Sequence, residues 1–365
     1  MKKKKSVLLA MSGGIDSNTA AFLLKENGYQ VTGVYFHLVT DGCRDYDFGK
    51  GTHNKEYFYD SNTVREVADK LNITLHEIDY REAFSRIVIK DFVRKYQNGI
   101  TPNPCVLCNE KIKFPLLLKH ASNNGISYIA SGHYARIEHK TGQDRYILKR
   151  GVDRKKDQSY FLYRLGYDIL SRSVFPLGDL TKKSVEKIAS NAGLKSLKIK
   201  ESQEICFITG NNYRELIEQR ASQQDKNQPG YFVDTSGNIL GRHKGVAFYT
   251  IGQRRKTGLS LNSRKYIVEI NNKENKIVIG DEADLYKKEF KLVKVHYSSI
   301  APIIHPMQLE VQIRYNTPPA KATIFPDEND NLRVIFEEPK RAITPGQSAV
   351  FYDDDVVLGG GIITI

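Results

Sequence analysis

One junction limits what this chain can fold into more than any other. The short apolar run Ser6-Val7-Leu8-Leu9-Ala10 passes through Met11 into Ser12-Gly13-Gly14-Ile15-Asp16-Ser17, and a helical pattern follows over Thr19 to Lys25. A buried strand, a glycine turn and a helix start, in that order, put a loop at the carboxyl end of a strand. Open α/β sheets bind their ligands there. Two glycines let backbone N–H groups approach an anion closely, and the helix start adds partial positive charge. Ser12 and Ser17 are placed to donate hydroxyl hydrogens to phosphate oxygens, and Asp16 to hold Mg²⁺ against them. The spacing fits neither the Walker-A pattern nor the dinucleotide G-x-G-x-x-G pattern.

The alternation continues beyond that junction. Val31 to Phe36 reads as a strand, Ser61 to Leu71 as an amphipathic helix with Val64, Val67, Ala68 and Leu71 on one stripe, and Ile73 to Ile78 as a strand. Ile126 to Ala130 is strand-like before Ser131-Gly132-His133. Such alternation predicts a parallel sheet covered by helices, with the loops after Ala10, Phe36 and Ala130 walling one pocket. After about residue 210 the pattern changes to short alternating runs broken by turn residues, from Tyr231-Phe232-Val233 to Val356-Val357-Leu358. These predict small β-barrels or sandwiches, with a boundary near Asp281-Glu282-Ala283-Asp284. The expected domains are therefore 1–210, 211–284 and 285–365.

No stretch approaches the ~20 apolar residues of a membrane helix. The apolar run after Met1-Lys2-Lys3-Lys4-Lys5 is too short for a secretory signal, so a cytoplasmic protein is expected. Lys and Arg outnumber Asp and Glu by 55 to 42, a net charge of +13, which favours a polyanionic partner. The segment Gly241 to Lys256 gathers Arg242, His243, Lys244, Arg254, Arg255 and Lys256 among Gly and aromatic residues, as an RNA-backbone contact would. Four cysteines are too few for a disulfide scaffold in a chain of 365 residues. Cys105 and Cys108 form a proline-framed C-x-x-C pair ahead of a helix pattern, which reads as metal or redox chemistry with the thiol pKa lowered by the helix start. Cys206 reads equally as a buried apolar residue or a functional one, and Cys43 as an idle thiol.

Ser12 to Ser17 resembles the pyrophosphatase loop of the ATP-pyrophosphatase (PP-loop) superfamily. Other segments extend the resemblance over nearly the whole chain: Thr101-Pro102-Asn103-Pro104 through Asn109, Ser131 to Arg136, Lys156-Asp157-Gln158-Ser159-Tyr160-Phe161-Leu162, Phe175 to Gly178, Ser202 to Phe207, Gly245 to Gly258 and Thr344 to Gln347. Together they resemble the tRNA-specific 2-thiouridylase family. The resemblance implies a PP-loop domain followed by two small β-rich domains. It implies adenylation of the C2 oxygen of a wobble uridine in the tRNA anticodon stem-loop, then replacement of that oxygen by sulfur from a donor protein. Ala10, Met11, Ser12, Gly13, Gly14, Ile15, Asp16 and Ser17, with Phe36 and Gly132, resemble the ATP contacts. Cys108 matches the nucleophile and Cys206 the persulfide carrier that pairs with it in a transient disulfide. Asn103, Pro104 and Cys105 resemble the segment that meets the target base. His133, Lys156, Asp157, Gln158, Arg314, Tyr315 and Gln347 resemble tRNA contacts.

Cys105 departs from the family's pattern, where many members carry Asp. A thiol titrates ~4–5 units above a carboxyl and cannot simply replace it. The substitution points to a three-thiolate site of Cys105, Cys108 and Cys206, able to hold a 4Fe–4S cluster with one open iron. This cluster route stands beside the persulfide route. The alternatives are a tRNA 2-thiocytidine synthetase or other PP-loop ligase, and a non-catalytic tRNA-binding sulfur relay. A monomer is expected when tRNA is absent.

Overall fold

The computed structural model describes residues 5–39, 61–143, 145–194, 205–208, 212–220, 228–261 and 263–364. Cys43 and the Ser202–Glu204 part of the motif that carries Cys206 lie outside them. The chain divides into two compact units: Met1–Ile87, Cys105–Thr209 and Asp355–Val357 in one, Val88–Pro104, Gly210–Asp354 and Leu358–Ile365 in the other.

The first unit is built on a parallel sheet of five strands in the order β3-β2-β1-β4-β7. They are β1 (Ser6–Ala10), β2 (Gln30–His37), β3 (Thr74–Asp79), β4 (Tyr128–Ala130) and β7 (Ser173–Val174). The hairpin β5 (Ala135–Lys140) and β6 (Arg145–Arg150) intervenes in sequence, and Lys149 pairs with Val356. β1 is buried on both faces, as its unbroken apolar run requires. Val7 and Leu9 join a core with Ala20, Ala21 and Leu24 of the helix Ile15–Glu26, Val64 and Val67 of the helix Ser61–Lys70, and Val185 and Ala189 of the helix Lys182–Asn191. Leu8 points to the opposite face. Strand order reverses at β1: β2 and β3 extend to one side, β4 and β7 to the other. The crevice at such a switch point is where a doubly wound sheet holds its ligand, so the loops after β1 and β4 are brought together.

The second unit is β-rich. One sheet, in the order β10-β11-β8-β9, comprises β8 (Gly230–Asp234), β9 (Ile239–His243), β10 (Tyr266–Asn271) and β11 (Lys276–Gly280). β12 (Tyr286–Tyr297), β13 (Met307–Gln312), β14 (Ala320–Pro326), β15 (Leu332–Arg341), β16 (Ser348–Asp353) and β17 (Val356–Thr364) run in the order β12-β15-β14-β13-β16-β17, and pairing of β12 with β17 closes a barrel. Helices Lys90–Gln97 and Tyr213–Arg220 meet in this unit, with the Tyr96 and Tyr213 rings stacked at 4.5 Å. A parallel-sheet domain followed by two small β domains is the architecture that the alternation of patterns predicted. Val88–Pro104 nevertheless groups with the β-rich unit.

Candidate functional site

The Ser12–Ser17 loop is a bonded frame with an open end. Gly13 takes φ +83°, a conformation that favours glycine. Gly14 begins the helix Ile15–Glu26 without a side-chain cap, so the first-turn N–H groups keep their capacity for an anion. Ser17 Oγ donates to the Gly14 carbonyl at 2.9 Å and receives the Ser12 N–H at 3.2 Å, while Asn18 Nδ2 donates to the Gly13 carbonyl at 3.1 Å. Met11 anchors the loop through its N–H on the Val34 carbonyl at 2.9 Å. Phe36 lies on β2 with its ring 5.7 Å from that of Tyr80.

Asp16 does not stand bare. Its Oδ1 accepts the Tyr134 hydroxyl at 2.7 Å, and the Lys182 ammonium donates to Oδ1 at 2.8 Å and Oδ2 at 3.0 Å. An ammonium therefore holds the carboxylate expected to ligate Mg²⁺. With that ammonium in place, Asp16 holds no carboxylate oxygen free of a charged partner in this arrangement. Neither Lys182 nor Tyr134 was singled out in the sequence. Lys182 is 166 residues from Asp16, and its only signal is its position at a helix start after strand β7. Gly132 explains itself by contact: a Cβ there would lie 3.0 Å from the Asp16 carbonyl carbon and 3.0 Å from the Ser17 nitrogen. The loop after β4 can thus press its backbone against the loop after β1.

The thiols precede Lys113 and Phe114, whose charge and ring meet His133 of that same segment. Cys105 and Cys108 sit on the short helix Pro104–Cys108, followed by a wide π turn, Asn109–Lys113. Burial pushes the Cys105 thiol up to about 11, reinforced by the Cys108 thiol. Cys108 is raised by burial too, against the opposing charge and backbone N–H of Lys113. Cys206 is pushed up to about 12, first by the atoms crowded around it, then by Cys108 and Cys105. Yet Cys206 keeps exposed surface. The expectation of a thiol activated by a helix start is overturned. A helix of one turn offers little positive potential, and desolvation of the thiolate wins.

The three cysteines are thus electrostatic neighbours, but the three-thiolate cluster site is not found. Among the described residues, no three His, Cys, Asp or Glu side chains are grouped to hold a metal ion. The donor set that such a cluster needs is therefore not assembled among the described residues.

His133 joins the two regions. Its Nδ1 lies 2.7 Å from Ser131 Oγ and its ring sits 5.7 Å from that of Phe114, the residue after Lys113. Burial, then the Lys113 charge, lowers its pKa well below the ordinary value, so the ring is neutral at pH 7.

Several residues expected to touch RNA hold the protein's own backbone instead. Asp157 is 8% exposed and accepts from the N–H groups of Gly151 at 3.0 Å and Ser159 at 3.1 Å. The Asp157 carboxylate thus faces its own loop, while its neighbour Lys156 is half-buried. Gln158 Oε1 accepts the Tyr134 N–H at 3.1 Å. In the second unit, Arg314 donates to the Ala342 carbonyl and to Thr344 Oγ1, and Gln347 Nε2 donates to the carbonyls of Thr101 at 3.1 Å and Pro102 at 2.9 Å. Gln347 therefore supports the segment leading to Asn103 and Pro104. Tyr315 uses its own carbonyl to receive Gln312 Nε2 at 2.9 Å. Of the six basic side chains between Arg242 and Lys256, His243 is 2% exposed and turned inward, while the other five are exposed. Arg254 lines a recess of about 430 Å³ with Arg264 and Lys265.

Family models match the chain in three successive segments. Residues 5–210 match the tRNA methyl transferase HUP domain, 219–281 the tRNA methyl transferase PRC-barrel domain, and 287–363 the aminomethyltransferase beta-barrel domain. The chain is 42% identical over 360 residues to the tRNA-specific 2-thiouridylase MnmA of Acetivibrio thermocellus, covering 99% of both chains. It is 44% identical to that of Clostridium perfringens, covering 99% of this chain and 98% of the relative. With that of Clostridioides difficile it shares 41% over 363 residues, covering 100% and 99%.

Proposed function

Because the chain belongs to the tRNA-specific 2-thiouridylase family, we propose that this tRNA sulfurtransferase works by adenylating uridine on the Ser12–Ser17 loop and delivering sulfur through Cys206 and Cys108. ATP lies over residues 10–17, with Phe36 and Gly132 at its adenine side. The C2 oxygen of the wobble uridine attacks the α-phosphorus, the bond to the β-phosphate breaks, and pyrophosphate leaves with the electron pair. The loop contributes position and charge neutralisation rather than covalent chemistry.

Sulfur arrives as a persulfide on Cys206, loaded by a donor protein. Its terminal sulfur attacks C2 and AMP leaves. The Cys108 thiolate then attacks the Cys206 sulfur, which frees 2-thiouridine and leaves a Cys108–Cys206 disulfide for a thiol reductant to open. Raised thiol pKa values mean that neither cysteine is a standing nucleophile in the free protein. Lys113 is the cation that favours the thiolate. The base is reached in the anticodon loop, where single-stranded bases can be splayed out, and Asn103, Pro104 and Cys105 receive it. His133, Lys156, the exposed basic residues near Arg254, and Gln347 through the Thr101–Pro102 backbone serve tRNA placement. The reaction takes place in the cytoplasm.

One observation carries this reading: the segment Ser131–Tyr134 packs Gly132 on the Asp16–Ser17 backbone, bonds Tyr134 to Asp16, and lays His133 against the helix that follows the thiols. The test is purified protein with ATP and unmodified tRNA. Pyrophosphate release that depends on tRNA is expected, together with loss of 2-thiouridine from the tRNA of cells lacking the protein. Release without tRNA, or unchanged nucleosides in those cells, overturns it.

A further inference from the structure

The proposed reaction uses two of the three thiols in this region. Cys105 is left over, a thiol that neither carries sulfur nor resolves the persulfide. It stands three residues before Cys108 on the helix Pro104–Cys108. Residues at that spacing share a helix face, with Cβ atoms about 5–6 Å apart. A disulfide needs Cβ atoms about 3.5–4.5 Å apart, so a small adjustment of one short helix joins the two sulfurs. Cys108 is also the middle thiol: Cys206 feels Cys108 before Cys105, and Cys105 feels Cys108. All three belong to one unit. Among the described residues they are not gathered around one point that could hold a metal ion, but a relay needs only successive pairs. Exposure follows the same line, with Cys206 exposed, Cys108 buried and Cys105 half-buried.

We propose that Cys105 is a second resolving thiol, which moves the turnover disulfide from Cys108–Cys206 to Cys105–Cys108 and returns Cys206 to the donor protein. This rests on the thiolation reading above. The Cys105 thiolate attacks Cys108 Sγ, and the Cys105–Cys108 bond forms as the Cys108–Cys206 bond breaks. The electron pair leaves on Cys206 Sγ, which takes up the proton that Cys105 gave. Cys105 is oxidised and Cys206 reduced, so no further oxidant enters, and a thiol reductant later opens Cys105–Cys108. A thiol held on the same helix turn acts at an effective concentration that no free reductant reaches, so exchange precedes reduction. Half-buried Cys105 then offers the reductant a sulfur that buried Cys108 does not.

The experiment maps disulfides in the full chain. Reduced protein receives one equivalent of diamide at about pH 8.5, where thiolate is more abundant, with neither ATP nor tRNA present. Acid and N-ethylmaleimide follow, and peptide mass spectrometry identifies the bonded pair. Cys105–Cys108 is expected in at least about tenfold excess over pairs that contain Cys206, with Cys206 alkylated. In Cys105→Ser the same treatment should bond Cys108 to Cys206 and protect Cys206 from alkylation. Wild type whose main pair contains Cys206 or Cys43, or that forms no intramolecular disulfide, overturns the proposal. That arm decides alone should Cys105→Ser not fold. The underlying reading fails separately. Wild type with a persulfide on Cys206, ATP and tRNA, but no reductant, should make 2-thiouridine and end with Cys105 bonded to Cys108. Absence of 2-thiouridine beside a Cys105–Cys108 pair from diamide refutes thiolation but leaves the two thiols a redox pair. Formation of 2-thiouridine with a lasting Cys108–Cys206 disulfide refutes the relay and leaves the reading.

Discussion

Around Asp16, polar atoms meet partners: carboxylate with ammonium and hydroxyl, serine with serine, asparagine with carbonyl. Around Cys108 burial raises all three thiols above their ordinary range, and Asn109 next to it keeps a buried Oδ1 with no partner. Both regions belong to one unit and touch the same Ser131–Tyr134 segment, yet the phosphate loop is preset while the thiol recess is chemically off. The difference suits an order of events. A triphosphate site must be ready for ATP, whereas a standing thiolate or persulfide would meet water and oxidants before tRNA arrived. Preorganisation serves the first step, and suppression protects the second.

The sharpest way to break the comparison is to remove one region and watch the other. Cys108→Ser should lower 2-thiouridine formation by about 10³-fold or more, because a hydroxyl cannot resolve a persulfide, while tRNA-dependent pyrophosphate release stays near wild type. If pyrophosphate release falls equally, the two regions are not separable. Gly132→Ala attacks the junction from the other side. Its Cβ would press on backbone atoms at 3.0 Å, which cannot rotate away, so the loop must shift. We expect pyrophosphate release to drop about three- to tenfold, because the loop has to give by only part of the 1 Å misplacement that costs about 10²-fold. Alkylation of Cys108 by iodoacetamide should be unchanged.

How far these regions were legible in the sequence follows the range of the forces involved. The Ser12–Ser17 loop is local: strand, turn and helix start are contiguous, and the structure puts them where the pattern did. The strand runs after Tyr231 are local as well, and they became the two β sheets of the second unit. Lys182 was not legible, because only the β4–β7 crossover brings it to Asp16. The thiol chemistry was misread for a related reason. A C-x-x-C pair at a helix start is visible in the letters, but desolvation depends on what packs over it, and that is set by distant segments. Asp157 shows the same limit at short range, since a charged motif residue reads as a contact until its carboxylate is seen bonded within its own loop.

His133 tests the junction through pH. Its folded pKa lies well below the unfolded value of about 6.5, so below that pH the unfolded chain binds the proton that the folded one refuses. Stability is therefore full above about pH 6.5 and falls as pH drops, by up to about 1.4 kcal/mol per unit. His120 and His243 are lowered as well, by burial first, so the whole-protein curve is not specific. The difference in urea midpoint between wild type and His133→Gln should shrink from pH 7 to pH 5. A constant difference would show that the ring titrates as if exposed.

Lys113 carries the smallest expected effect and refines the thiol side most directly. It opposes burial at Cys105, Cys108 and Cys206 alike, and it disfavours protonation of His133. Removing it leaves burial unopposed, so every thiol pKa rises further. Below its pKa a thiol's reaction rate follows its thiolate fraction, so Lys113→Met should alkylate Cys108 about three- to tenfold more slowly at pH 8. The rate should keep climbing past pH 9 without a plateau. Lys113→Arg, which retains the charge, should stay near wild type, whereas a lysine that matters only for packing would leave Lys113→Met with wild-type reactivity and a lower melting temperature. Because Asp16 has its own cation in Lys182, pyrophosphate binding should be the same in both variants. A change there would mean that the two regions share one electrostatic field, and the division between a preset site and a silent one would have to be redrawn.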